Sequence, residues 1–196
     1  EVRDIRFFRY KRLAFEGRDL VVARSGYSKQ GGFEIYVEGG DLGEPLWDAL
    51  FAAGEDLEVR PGCPNLCERV EGGLLSYGND MTRENSPLEI GLGKFCNSGA
   101  DYIGKAVIER EKAQGVQRMI RPIAITGRQP RCDRAWPLYA DGKPAGQVTS
   151  AVWSPDFQTT VAIGMVERSH WAAGTVLEVE TQEGMARAEV QAAFWI

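Results

Sequence analysis

From residue 117 to the end, the chain carries six short apolar runs, each bounded by turn-forming residues. The runs cover 120–125, 136–139, 146–153, 160–166, 176–180 and 186–190, and Asp141-Gly142, Ser154-Pro155 and Glu183-Gly184 lie between them. Runs this short, rich in Val, Ile and Trp, suit strands better than helices. Several of them at such spacing imply a small all-β barrel or sandwich, here a domain over 117–196.

The preceding part mixes two periods. Residues 5–15 alternate as a strand, Glu16-Gly17-Arg18-Asp19 forms a turn, and 20–24 returns as the second arm of a hairpin. A third strand, Phe33-Glu34-Ile35-Tyr36-Val37, is entered through Gly31-Gly32. Asp41 and Glu44 have capping-box spacing, with Asp41 as the cap. The helix they open carries Leu42, Leu46, Ala49, Leu50 and Ala53 on one face, and Gly54 ends it. A short helix over 66–72 runs into Gly72-Gly73. Pro87 stands at a favourable first helical position, and a longer helix over 103–113 stops at Gly115. The expected fold class is therefore α+β: an α+β domain over 1–116, then the β domain over 117–196.

A chain of 196 residues with 43% apolar content can bury a core without disulfides. The net charge of −5 speaks against a general grip on nucleic acid. The basic run over 3–12 alternates with Phe7, Phe8 and Tyr10 and reads as the polar side of a strand. No apolar run is long enough to span a membrane and no secretory signal is visible. The four cysteines are irregularly spaced, which suits the reducing cytoplasm. Cys63 and Cys67 have no second ligand pair, and the single histidine, His170, is distant. They read as small buried side chains, and no metal is expected.

The stretch 24–36, RSGYSKQGGFEIY, carries the most suggestive chemistry. A glycine-bearing turn joins two strands, and Glu34 and Tyr36, two apart, share one strand face. A carboxylate can accept paired N–H donors from a flat heterocycle, while Tyr27 and Tyr36 can stack on a ring or hold a cation. The competing reading is a half-exposed strand face with a solvated glutamate. Gly91-Leu92-Gly93-Lys94 fails as a phosphate loop because Phe95 follows the lysine. His170 has no accompanying nucleophile motif. Arg69 and Glu71 are two apart and read as separate surface or inter-element ion pairs.

The order of segments carries a resemblance. RSGYSKQGGFEIYV, ERVEGGLLSYGND, SPLEIGLGKF and DYIGKAVI, followed by AGQVTSAVWSP, VAIGMV and AGTVLEV, resemble the folate-dependent aminomethyltransferase family to which the glycine-cleavage T-protein belongs. Residues 28–32, 61–66, 76–79 and 169–171 resemble its sulfonium-demethylating branch. The resemblance implies a methyltransferase that demethylates dimethylsulfoniopropionate, with tetrahydrofolate as methyl acceptor. It implies that Glu34 hydrogen-bonds the pterin ring and that Tyr27 and Tyr36 lie near the sulfonium substrate, and it places no catalytic residue in this segment. An arginine that holds the folate tail in relatives has no counterpart at Asn65 or in Phe194-Trp195-Ile196. The resemblance also implies that this chain corresponds to the C-terminal part of a longer protein, inactive without its N-terminal portion; a homodimer is left open. Two alternatives stand beside it. One is an aminomethyl, dimethylglycine or sarcosine type of transfer. The other is a folate-binding accessory protein for iron–sulfur assembly, whose motif cysteine is replaced by Asp101.

Overall fold

The computed structural model describes residues 1–27, 29–62, 66–97 and 99–196. The chain divides into two compact units, Glu1–Asn65 and Leu66–Ile196.

The first unit is built on a three-stranded antiparallel sheet in the order β1 (Tyr10–Phe15), β2 (Arg18–Ala23), β3 (Glu34–Tyr36). Phe15 pairs with Arg18, so only Glu16 and Gly17 form the loop. Both have positive φ, 45° and 76°, the combination that matches the twist of a tight hairpin. The first strand starts later than its alternation suggests. Val2–Asp4 coil into a 3-10 turn, and Ile5 is buried ahead of the sheet.

Helix α1 (Gly43–Ala53) follows β3 and ends at Gly54. Its cap differs from the expected one. Leu42 occupies the N-cap and no side chain caps the helix. Asp41 instead accepts a 2.7 Å hydrogen bond from Arg18, an ion pair to β2 that outcompetes the cap. The apolar face of α1 is also less covered than its periodicity implies: no helix residue is buried, and Trp47 stacks on Phe51 with centroids 4.6 Å apart. Among the described residues of this unit the buried apolar side chains are Ile5, Leu20, Val22 and Leu42.

The second unit contains α2 (Leu66–Glu71), α3 (Lys105–Gln114) and a closed barrel. The barrel strands are β4 (Arg118–Ile125), β5 (Trp136–Ala140), β6 (Lys143–Ser154), β7 (Thr159–Glu167), β8 (Val176–Thr181) and β9 (Gly184–Val190). Their order around the barrel is β4-β7-β6-β5-β8-β9, with β9 pairing back to β4, and every neighbouring pair is antiparallel. Each of the six apolar runs falls on one strand. Asp141 and Gly142, at φ 49° and 72°, turn β5 into β6. At residues 86–89 the proline opens a helical turn rather than a regular helix. Glu89 N donates to Ser86 Oγ at 3.2 Å and Ser86 N to Glu89 Oε2 at 3.1 Å, a reciprocal cap.

Strand β7 shows why its sequence is apolar throughout. Ala162 and Val166 point into the barrel, where Ile123, Trp136, Leu138, Val148, Leu177 and Val179 fill the interior. Val161, Ile163 and Met165 point outward and pack with Ile120 and with Val70 of α2, flanked by Leu75, Ile90, Phe194 and Trp195. With both faces covered, alternation disappears. Phe194 lies over Gly73, where a Cβ would come within 2.4 Å of the ring, and Trp195 N donates to Glu71 O at 2.9 Å. The C-terminal residues thus close over α2. Among the described residues no helix is long and apolar enough to cross a membrane.

Candidate functional site

The sheet of the first unit presents the stretch singled out in the sequence. Ala23 of β2 pairs with Glu34 and Val21 with Tyr36, while Ile35 pairs with the buried Val22. Ile35 therefore turns toward the core, and Glu34 and Tyr36 share the opposite, exposed face of an edge strand. The base of the loop that leaves β2 is fixed by Arg24. Its N–H donates to Arg9 O at 2.9 Å, its carbonyl accepts from Phe8 N at 3.0 Å, and its guanidinium donates to Ile5 O at 3.1 Å. The next residue, Ser25, donates its hydroxyl to Glu34 Oε2. Tyr27 follows two residues later on the same loop. Tyr27 and Tyr36 are 52% and 55% exposed. Ser28 lies outside the described residues.

In chemical terms this is an exposed carboxylate, held by one hydroxyl, with a phenol ring two residues along the same face. Oε1 and the remaining lone-pair sites of Oε2 are acceptors. Such a group can receive adjacent N–H donors of a planar ring, and a tyrosine face can carry that ring or a cation. Ser25 was not distinguished in the sequence, since a serine before a glycine is an ordinary loop pattern; only the register of β2 against β3 brings it to Glu34.

The other residues considered resolve into structural roles. Cys67 donates its thiol to Glu71 Oε1 at 3.0 Å. Burial, with Glu71 beside it, pushes that thiol up to about 12, which suits an inert side chain. Cys63 lies outside the described residues. No group of three or more His, Cys, Asp or Glu side chains able to hold a metal occurs among the described residues. His170 is half-buried in the turn after β7, its N–H on Glu167 O.

Arg69 and Glu71 are both buried, which corrects a surface reading of either. Arg69 is indeed in an inter-element ion pair. Its Nη1 donates to Asp80 Oδ2 at 2.8 Å and to Leu74 O at 2.9 Å, and its Nη2 to Ser150 Oγ at 2.7 Å. Thr149 and Ser150 donate to Asp80 Oδ1 at 2.6 and 2.7 Å. Consecutive strand residues normally face opposite ways. Here Val148 pairs with Gly164 and Ser150 with Ile163, so Thr149 is the extra residue of a β-bulge, and both hydroxyls reach one oxygen.

A cavity of about 660 Å³ opens in the second unit between residues 83–87 and the start of α3, with Phe95, Ile103 and Val107 among its apolar lining. None of Tyr27, Glu34 and Tyr36 lines it.

Comparison with known proteins bears on both units. Residues 1–99 match the family model described as the GCVT N-terminal domain, and residues 118–195 match the glycine cleavage T-protein C-terminal barrel domain. The chain is 68% identical over 194 residues to dimethylsulfoniopropionate demethylase DmdA of Ruegeria pomeroyi, an alignment covering 99% of this chain and 53% of that protein. It is 32% identical over 195 residues to an aminomethyltransferase of Clostridium botulinum, covering 96% of this chain and 52% of the other. The crystal structure of the glycine cleavage system aminomethyltransferase T from Bartonella henselae shares the fold, with a TM-score of 0.80 at 23% identity over 99% of this chain and 54% of that one. The chain thus spans about half the length of the curated relatives it matches.

Proposed function

From the premise that this chain belongs to the glycine cleavage T-protein family, we propose that it serves a tetrahydrofolate-dependent methyltransferase that converts dimethylsulfoniopropionate to 3-(methylthio)propanoate and 5-methyltetrahydrofolate. The observation that carries the choice of substrate is the 68% identity, along nearly the whole chain, to a protein named for that demethylation. We take the two domains to be 1–116 and 117–196. Gly115 closing α3 and β4 opening the barrel at Arg118 support that division. The setting is the cytoplasm, in keeping with the thiols of Cys67, Cys96 and Cys132.

The described residues fit the folate ring: Glu34 offers an exposed carboxylate, already oriented by Ser25, with Tyr36 on the same face. When bound, tetrahydrofolate would supply the N5 nucleophile that accepts the methyl group while the sulfonium leaves as a neutral thioether and the proton of N5 is released to solvent. Glu34 accepts the ring's adjacent N–H donors and so sets the direction of N5. Tyr27 and Tyr36 hold the sulfonium cation. A cation over an aromatic face gains about 0.5–2 kcal/mol, and this gain shrinks as positive charge leaves sulfur. The two tyrosines therefore bind and position rather than accelerate. The rate enhancement assigned to the protein is alignment of nucleophile, carbon and leaving group.

Mass spectrometry of the whole enzyme with dimethylsulfoniopropionate and tetrahydrofolate tests the reading. The expected products are 5-methyltetrahydrofolate and 3-(methylthio)propanoate. Formation of 5,10-methylenetetrahydrofolate from an aminomethyl donor, with no turnover of the sulfonium, would replace it with aminomethyl transfer.

A further inference from the structure

We infer that Ser25 is a positioning residue for folate recognition: its hydroxyl fixes the plane of the Glu34 carboxylate and so sets the two acceptor oxygens for the pterin ring. This rests on the assignment of Glu34 to that ring and extends it to a residue that does not touch the reacting atoms.

Three observations support it. First, Glu34 stands on the outer face of an edge strand, exposed. A glutamate there has three rotatable side-chain bonds, and ordering it at the moment of binding costs affinity. Second, Ser25 donates to one oxygen only, Oε2. An ionised carboxylate has about four lone-pair sites, so several stay open. Third, Ser25 leaves a fixed point of the main chain. It follows Arg24, whose main chain is hydrogen-bonded to Arg9 and Phe8 and whose guanidinium reaches Ile5 O at 3.1 Å. Serine adds a single short rotor, so the rigidity of the strand end passes to the carboxylate.

The consequence is geometric. Two adjacent N–H donors on a planar ring need two acceptor positions side by side in one plane. A carboxylate free to rotate offers that arrangement only part of the time, and the apparent affinity falls by that fraction. A hydroxyl pinned to Oε2 removes most of the rotation before the ligand arrives.

The test is calorimetric titration of the whole enzyme with tetrahydrofolate, comparing wild type, Ser25→Ala, Ser25→Thr, Glu34→Ala and the Ser25→Ala/Glu34→Ala double variant. Ser25→Ala is expected to weaken binding about tenfold, while Ser25→Thr, which keeps the hydroxyl, stays within about twofold of wild type. In the Glu34→Ala background, Ser25→Ala is expected to add nothing. The KM for dimethylsulfoniopropionate and the melting temperature should not move with Ser25→Ala, which separates positioning from general damage. Wild-type affinity in Ser25→Ala beside a weakened Glu34→Ala would overturn the role of Ser25 and leave Glu34 in place. So would an equal loss from Ser25→Ala in both backgrounds. Wild-type affinity in Glu34→Ala would overturn the Glu34 assignment and the inference with it.

Discussion

Arg69 and Asp80 form an ion pair at 2.8 Å whose two side chains are only 9% and 0% exposed. The pair joins α2 to the segment after it, and Thr149 and Ser150 tie the same carboxylate to the bulge of β6. Removing one partner of a buried pair leaves the other charged and desolvated, at about 3–5 kcal/mol. Arg69→Ala is expected to lower stability by that amount in urea denaturation, and Ser150→Ala by about 1–2 kcal/mol. A loss below about 1 kcal/mol for Arg69→Ala would mean that water reaches Asp80 as freely as at the surface.

Close strand packing makes a second expectation. Gly146 has φ 140°, and a Cβ there would lie 2.2 Å from Met165 O and 3.0 Å from Val166 Cα. Both obstacles are backbone of the paired strand β7, so neither can swing away. Gly146→Ala is expected to cost about 2–4 kcal/mol or to prevent folding. Gly142, at φ 72° in the β5–β6 turn, has nothing within 4 Å of its added Cβ. Gly142→Ala is expected to cost about 1 kcal/mol, from backbone strain alone. Thermal denaturation of the two variants gives the comparison.

The thiols give a third. Burial raises Cys67 to about 12 and Cys132 to about 11. The reactive species is the thiolate, which these environments disfavour at neutral pH. Both are expected to resist iodoacetamide at pH 8 in the native protein and to react once it is unfolded, as read by mass spectrometry of the peptides. Rapid native labelling of Cys67 would contradict its contact with Glu71.

A fourth concerns acid. Arg18 holds the Asp41 carboxyl below its ordinary 3.8. The folded-state value is the lower one, so this contribution is present above 3.8 and is lost as pH falls through the depressed value. Both side chains are largely exposed, so salt should weaken the effect. Carboxyl titration by NMR is expected to show Asp41 returning toward 3.8 in Arg18→Ala.

The barrel was legible because its strands are short, apolar and separated by turn residues; the whole course from Arg118 to Val190 follows those runs. The shared face of Glu34 and Tyr36 was legible for the same reason, a period of two. What escaped depended on distant partners. Asp41 has a good capping sequence, yet Arg18, on another strand, takes its carboxylate. Leu46 and Leu50 keep helical spacing without becoming buried. Arg69 and Asp80 could be seen as charges, but their burial needs the β6 bulge at Thr149, which no local pattern marks. Ser25 meets Glu34 only through the pairing of Ala23 with Glu34.

In the proposed function Glu34 receives the pterin ring. Titration of the whole enzyme with tetrahydrofolate, wild type against Glu34→Ala, tests it most directly. Two hydrogen bonds to a charged acceptor are worth about 3–6 kcal/mol together, so affinity is expected to fall by about a hundredfold or more. An unchanged dissociation constant in a folded Glu34→Ala enzyme would contradict the account.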